Sequence, residues 1–295
     1  MSHGSPPLPR LAYSVTPVGE SAPQTRSEIR ELLSGANHYP SKHWGQNFLI
    51  DPNIVRKMVD VAVLNPSSHV VEIGAGTGTL TGVLAGIAET VVAYEIDPSL
   101  ESVLTSGVGS LPNVEIRMAD ASEIDLDAVL GPGRWTLVSN LPYNVGTGII
   151  LDAVRCAPRI GRFVVMVQKE VADRLLASPG SKTYGVPSVI AGLHVEGFVA
   201  FSVPPQVFEP PPSVESAVVV LNRVSAPAHA PRAIEIAAAA FGQRRKMIRG
   251  SLKSVLPDPA SIVASASLDP TSRAEDLSPA DFVALAAAEA GAGAV

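Results

Sequence analysis

Three groups of residues have the types and spacing of a nucleoside site. Val70-Val71-Glu72-Ile73-Gly74-Ala75-Gly76-Thr77-Gly78 passes from β-branched residues into a glycine-rich turn. Glycine lets the backbone turn sharply and lie close to a ligand, and the free amides of a helix beginning near Thr79 face that ligand. The next β-branched run ends in Tyr94-Glu95-Ile96-Asp97. A carboxylate there, about 20 residues past the glycines, can take the two hydroxyls of a ribose. A third run ends in Ala119-Asp120-Ala121, whose acid can accept a hydrogen bond from an adenine amine. Glu95 alone reads as a surface acid. Glu95 and Asp120 together, each ending a strand after this glycine loop, read as an adenosine pocket with Ile96 and Ala121 beside them. Glu72 is open between a ligand contact and a tie that holds the loop. The spacing is Gly-x-Gly-x-Gly, not the Gly-x-Gly-x-x-Gly of dinucleotide sites. With no hydride-site histidine or tyrosine–lysine pair in view, this counts against a nicotinamide enzyme.

These groups need strands to place them. β-Branched runs at Val70 to Ile73, Val91 to Glu95, Val114 to Met118, Trp135 to Asn140 and Arg162 to Val167 alternate with helical patterns such as Leu80 to Ile87 and Ile149 to Cys156. That alternation predicts an α/β fold around a parallel sheet, with ligands at the carboxyl ends of the strands. Runs at Gly197 to Val203 and Ser216 to Leu221 follow with no helix between them, which predicts an antiparallel edge hairpin. A composition break at Ser225 to Pro231 precedes Ala-rich helical patterns at Ala233 to Phe241 and Pro279 to Glu289, with Ser278 as an N-cap. The expected layout is an extension over residues 1–36, a cofactor-binding domain over 37–224 and a small helical domain over 225–295. Within the extension, Ser2 to Gln24 reads as disordered and Arg26 to Leu33 as a short helix.

Composition narrows the function. Apolar residues are 46% of the 295 and charged residues 17%, enough apolar content for a sizeable core. No apolar run approaches the roughly 20 residues that span a bilayer, and no secretory signal is visible. One cysteine, Cys156, excludes an internal disulfide framework and a zinc cluster; its helical setting reads as a buried thiol, in keeping with a cytoplasmic protein. A net charge of −6 argues against coating nucleic acid over the whole surface. Yet Ile236 to Leu256 contains no acid and holds Arg244, Arg245, Lys246, Arg249 and Lys253. That local patch suits RNA phosphates, or a solvated helix face.

The fourth strand ends in Asn140-Leu141-Pro142-Tyr143-Asn144, which resembles the Asn-Leu-Pro-Tyr motif of adenine-N6 methyltransferases. The resemblance implies that the Asn140 side-chain oxygen and the Leu141 carbonyl accept hydrogen bonds from the target amine. Pro142 carries no N–H to obstruct them, and Tyr143 stacks on a base taken out of its helix. Phe208, in the Pro-rich stretch Val203 to Ser216, is a candidate for the other face of that base, or a hydrophobic plug.

From Ser41 onward the chain resembles the small-subunit rRNA adenine dimethyltransferases. The matching stretches are Gly45-Gln46-Asn47-Phe48-Leu49, the glycine loop, Tyr94 to Asp97, Asn140 to Asn144, Val167 to Val171, Lys182 to Gly185, the Phe208 loop and Phe241 to Lys246. The family implies a Rossmann-like fold with a seven-stranded, mostly parallel sheet and a helical C-terminal domain. It implies S-adenosylmethionine as cofactor, no metal, and two adjacent adenines near the 3′ end of 16S rRNA in an immature 30S subunit as substrate. Cofactor contacts fall on Gln46, Asn47, Leu49, Gly74, Gly76, Glu95, Ile96, Asp120, Ala121 and Asn140. The residues from Gln46 to Leu49 read as a loop entering the Asp51 to Val61 helix.

The chain departs from the family in two places. Pro40-Ser41-Lys42-His43-Trp44 is less basic than usual, with His43 a loop residue, and Val145-Gly146-Thr147-Gly148 loosens the next helix start. Two competing readings are a 23S rRNA methyltransferase of the macrolide-resistance type, against which Leu141 speaks, and a non-catalytic ribosome assembly factor. A monomer is expected.

Overall fold

The computed structural model describes residues 22–41 and 44–292. His43 and the start of the extension lie outside the described residues. The strands are β1 (Phe48–Leu49), β2 (His69–Ile73), β3 (Thr90–Glu95), β4 (Val114–Met118), β5 (Trp135–Asn140), β6 (Ile160–Gln168), β7 (Val195–Val203), β8 (Phe208–Glu209) and β9 (Ser216–Arg223). The helices are α1 (Arg26–Gly35), α2 (Pro52–Ala62), α3 (Thr79–Ala85), α4 (Glu101–Gly107), α5 (Leu126–Val129), α6 (Gly146–Cys156), α7 (Lys169–Leu175), α8 (Val186–His194), α9 (Ala230–Gly242), α10 (Ile248–Ser251), α11 (Pro259–Ser265) and α12 (Pro279–Ala292).

Seven strands form one sheet in the order β4-β3-β2-β5-β6-β9-β7. The first five run parallel; β9 pairs antiparallel with both β6 and β7. The chain winds outward from β2 through β3 to β4, then restarts on the other side at β5. The junction between β2 and β5 is therefore the topological switch point, where open α/β sheets leave a crevice beyond their carboxyl ends. Gly74 follows β2 and Asn140 ends β5, so the glycine loop and the Asn-Leu-Pro-Tyr turn meet there. Where the β2–β5 ladder stops, the buried Ser139 hydroxyl accepts from the Ile73 amide at 2.7 Å and keeps the two strand ends together.

Hydrophobic layers cover both faces, one around α6 and α8 and the other around α2 and α3. A parallel strand buried on both sides reads as a continuous apolar run, as Phe163 to Val167 of β6 does. Helices α9 to α12 share a third apolar cluster with Tyr184, Val189 and Leu193, which seats them against α8. Ser278 caps α12, accepting from the Asp281 amide while Asp281 accepts from the Ser278 amide.

Some expectations need correction. Cys156 is exposed. The inward stripe of α6 is Ile149, Ile150, Ala153 and Val154, and Cys156 falls with Asp152 and Arg155 on the outer side. Glycine at 148 does not delay that helix, which starts at Gly146, and Arg223 fastens its far end by donating to the carbonyls of Ala153, Val154 and Ala157. Gln46 to Leu49 is not all loop, because Phe48–Leu49 pairs antiparallel with Phe208–Glu209 in a separate two-stranded sheet. Gln24, at the end of the stretch read as disordered, is held by hydrogen bonds to Thr77 and Thr79.

Candidate functional site

A cavity of about 290 Å³ opens at the switch point. Its lining includes Gln46, Asn47, Leu49, Gly74, Gly76, Glu95, Ile96, Asp120, Ala121 and Asn140, together with Leu141, Pro142 and Tyr143. Every cofactor residue expected from sequence thus reaches one space.

The glycine loop needs its glycines. Gly74, Gly76 and Gly78 have φ of +83°, +60° and +81°, a region that side chains disfavour. A β-carbon on Gly74 would also come within 3.3 Å of the Pro142 ring, so the loop and the motif turn already touch. The loop is anchored from within by the Gly74 and Ala75 amides on the Tyr94 carbonyl and by the Gly76 amide on Glu95 Oε2 at 2.8 Å. Glu95 Oε1 takes the Ile96 and Asp97 amides, both at 3.0 Å. Burial pushes the Glu95 carboxyl up from its ordinary range, against these three amides. Its oxygens keep lone pairs that a ribose diol can use.

Glu72 lines the cavity and ties the end of β2 to α3 rather than to the glycine loop itself. It is fully buried, accepts from the Thr81 hydroxyl at 2.6 Å, and burial drives its carboxyl up to about 8. Asp120 receives the amide and hydroxyl of Ser122, both on Oδ1, which leaves Oδ2 for an amine.

The Asn140 side chain is held by one end. Its Nδ2 donates to the Asn47 carbonyl at 3.1 Å. Its Oδ1 is buried and has no hydrogen-bond partner among the described residues. A buried acceptor left unpaired costs about 1–3 kcal/mol, so such atoms are rare without a ligand to receive. The turn behind it is rigid: the Leu141 amide bonds the Met166 carbonyl, and the Val145 and Gly146 amides close onto the Pro142 carbonyl rather than onto that of Leu141.

Tyr143 lies over this turn with its hydroxyl hydrogen-bonded to the buried Ser216 hydroxyl. Phe208 does not take the open face of the pocket. It is 1% exposed, paired with Leu49 across the small sheet, and meets Tyr143 edge-on at 6.4 Å between ring centroids. It buttresses Tyr143 as a plug.

Gln46 lines the cavity, but its side chain already has partners. Its side-chain amide is committed to Asp97 at 2.8 Å and its oxygen to the Ser41 amide and His38.

Arg244, Arg245 and Lys246 sit in a turn between α9 and α10, while Arg249 lies on α10. Arg244 pairs with Glu275 at 2.8 Å and lies over the Phe241 ring, so it fastens this turn to the fold. Arg245, Lys246 and Arg249 are exposed.

Sequence reasoning missed Ser216, Thr77 and Gln24. Ser216 opens a strand and carries no local signal. Gln24 precedes Thr25-Arg26-Ser27-Glu28, a capping-box pattern that marks a helix start and could have drawn attention to an ordered segment.

Residues 37–289 match the family of ribosomal RNA adenine dimethylases. Ribosomal RNA small subunit methyltransferase A of Kineococcus radiotolerans is 41% identical over 268 residues, covering 88% of this chain and 89% of its own length. The protein of that name from Cereibacter sphaeroides is 40% identical over 273 residues, covering 89% and 97%. Among solved structures, a dimethyladenosine transferase from Plasmodium falciparum shares the fold with a TM-score of 0.69 at 22% identity, covering 81% of this chain and 95% of its own. The 23S rRNA methyltransferase ErmE aligns with a TM-score of 0.63 at 26% identity, covering 83% and 100%.

Proposed function

The chain belongs to the ribosomal RNA adenine dimethylase family, and from that premise we propose that it transfers methyl groups from S-adenosylmethionine to N6 of two adjacent adenines in the 3′-terminal hairpin of 16S rRNA. The product is N6,N6-dimethyladenine, made on an immature 30S subunit in the cytoplasm. The observation that carries the reading is Asn140 Oδ1, a buried acceptor without a partner at the meeting of the glycine loop and the motif turn.

The lining fits the cofactor. Glu95 suits the ribose hydroxyls, Asp120 Oδ2 the adenine amine, and the glycine loop admits close backbone approach. When bound, S-adenosylmethionine would supply a methyl group on a positively charged sulfur, which leaves as the neutral thioether of S-adenosylhomocysteine. The residues of this chain supply the geometry.

An adenine amine is a weak nucleophile because its lone pair is delocalised into the ring. Asn140 Oδ1 and the Leu141 carbonyl, accepting its two N–H groups, would turn that lone pair toward the methyl in near-attack geometry. After one methylation a single N–H remains, and either acceptor can still hold it. Tyr143, steadied by Ser216 and Phe208, offers a ring face to the flipped base. No strong base is required, since the proton departs after transfer. Arg245, Lys246 and Arg249 would hold RNA phosphates, which position the substrate without reading its sequence.

The test is product mapping. Unmodified 30S particles are incubated with the protein and S-adenosylmethionine, and the rRNA is then cut to short oligonucleotides whose modified bases are identified and placed by mass spectrometry. Dimethyladenine at two neighbouring positions is expected. Monomethyladenine as the end product, or methylation of another base, would overturn the reading.

A further inference from the structure

Gln24 lies ahead of the family match, which starts at residue 37, yet it makes two hydrogen bonds to the glycine loop and one to the first residue of α3. Its main-chain amide donates to the Thr79 hydroxyl at 3.0 Å. Its side-chain amide donates to the Thr77 carbonyl at 2.9 Å, and its side-chain oxygen accepts from the Thr77 hydroxyl at 2.6 Å. Thr77 and Thr79 are buried and line the cavity. Three glycines at positive φ shape this loop, and its bonds to Tyr94 and Glu95 hold it at Gly74, Ala75 and Gly76. Gln24 holds it further on, at Thr77.

The clamp is itself fixed. Thr25 and Glu28 form a reciprocal capping box that starts α1 directly behind Gln24. Ile29 and Leu33 bury against Phe48, Ile50, Leu100 and Val103. Arg26 donates to the Gln206 carbonyl, and Arg30 pairs with Glu209 at 2.9 Å. The segment therefore runs from the cofactor loop to the strand that carries Phe208.

We propose that Gln24 is a positioning residue for the cofactor: it holds Thr77 and Thr79 from outside so that the glycine loop keeps the shape that receives the nucleoside. This rests on the cofactor assignment above. The Gln24→Ala change removes both side-chain bonds and leaves the main-chain bond and the helix anchors in place. The loop must then order itself as the ligand binds, and affinity falls while chemistry in the filled site does not.

The experiment measures binding of S-adenosylhomocysteine by calorimetry alongside steady-state methyl transfer to unmodified 30S particles. Gln24→Ala is expected to weaken Kd and raise KM for S-adenosylmethionine about tenfold. Its kcat at saturating cofactor, its KM for particles and its Tm should stay near wild type. Gln24→Glu, which keeps the acceptor for the Thr77 hydroxyl but sets a carboxylate oxygen against the Thr77 carbonyl, should weaken binding at least as much as Gln24→Ala. Unaltered affinity in Gln24→Ala would overturn the proposal. So would a common decline in affinity, particle KM and Tm, the mark of a merely structural residue. A wild-type protein that binds no S-adenosylhomocysteine would sink the cofactor assignment and this proposal together, whereas normal wild-type binding with an indifferent Gln24→Ala sinks this one alone.

Discussion

Asn140→Ala separates function from stability in a way few buried residues can. The change deletes Oδ1, a buried acceptor that already stands unpaired, and Nδ2, which donates to the Asn47 carbonyl. Relief of the unpaired acceptor is worth about 1–3 kcal/mol, and loss of the ordinary bond to Asn47 costs about 1 kcal/mol. A small void takes back part of the difference, so stability should move by no more than about 1 kcal/mol, or a few degrees in Tm. Catalysis should respond far more. One preorganised partner in a water-excluded site is worth about 3–4 kcal/mol of barrier, a 100- to 1,000-fold loss in rate. The assay is single-turnover transfer from labelled S-adenosylmethionine at saturating cofactor, with cofactor affinity and thermal unfolding measured on the same preparations. A rate within about tenfold of wild type would refute the role of Oδ1. A Tm lowered by more than about 10 °C would show that Asn140 is held for the fold instead.

Three other outcomes follow from the site. Glu95→Ala should weaken S-adenosylhomocysteine binding strongly and RNA binding little, as calorimetry and filter binding would show; equal losses would contradict a ribose contact. Glu72 keeps its proton in the folded state up to about pH 8 but releases it near 4.5 when unfolded. The folded chain therefore binds more protons across that window, and stability falls as pH rises through it, at up to about 1.4 kcal/mol per pH unit. Glu72→Gln should flatten the dependence and gain on wild type from pH 5 to 8 in urea unfolding, whereas parallel curves would refute the assignment. Finally, replacing Arg245, Lys246 and Arg249 with Ala should reduce the slope of log affinity against log salt by roughly 2–3, about 0.7–0.9 for each phosphate lost; an unchanged slope would leave these residues as solvated surface.

The sheet and the site were legible in different degrees for physical reasons. Trp135 to Asn140 stands at the predicted position because a largely buried apolar run leaves a local signal, and Val114 to Met118 does so because this edge strand alternates apolar and charged residues. Glu95, Asp120 and Asn140 converge because they end strands of one parallel sheet, and topology carries strand ends to one edge. The β1–β8 pairing was not legible: two residues cannot show a period, and their partners lie 160 positions away. Which of the two readings of Phe208 suits its place was not legible for the same cause, since that pairing is what buries it. Cys156 could have been read correctly from the helix phase, which puts Ile149, Ile150, Ala153 and Val154 inward and leaves position 156 outside. Arg244 looked like its neighbours because Glu275, which ties it down, is 31 residues further on.

Methyl transfer to purified subunits tests the central claim most directly. Unmodified 30S and 50S particles are incubated separately with the protein and labelled S-adenosylmethionine, and the labelled base is identified. Dimethyladenine in the 30S particle alone is the predicted result. Label in the 50S particle, or none in either, would contradict it.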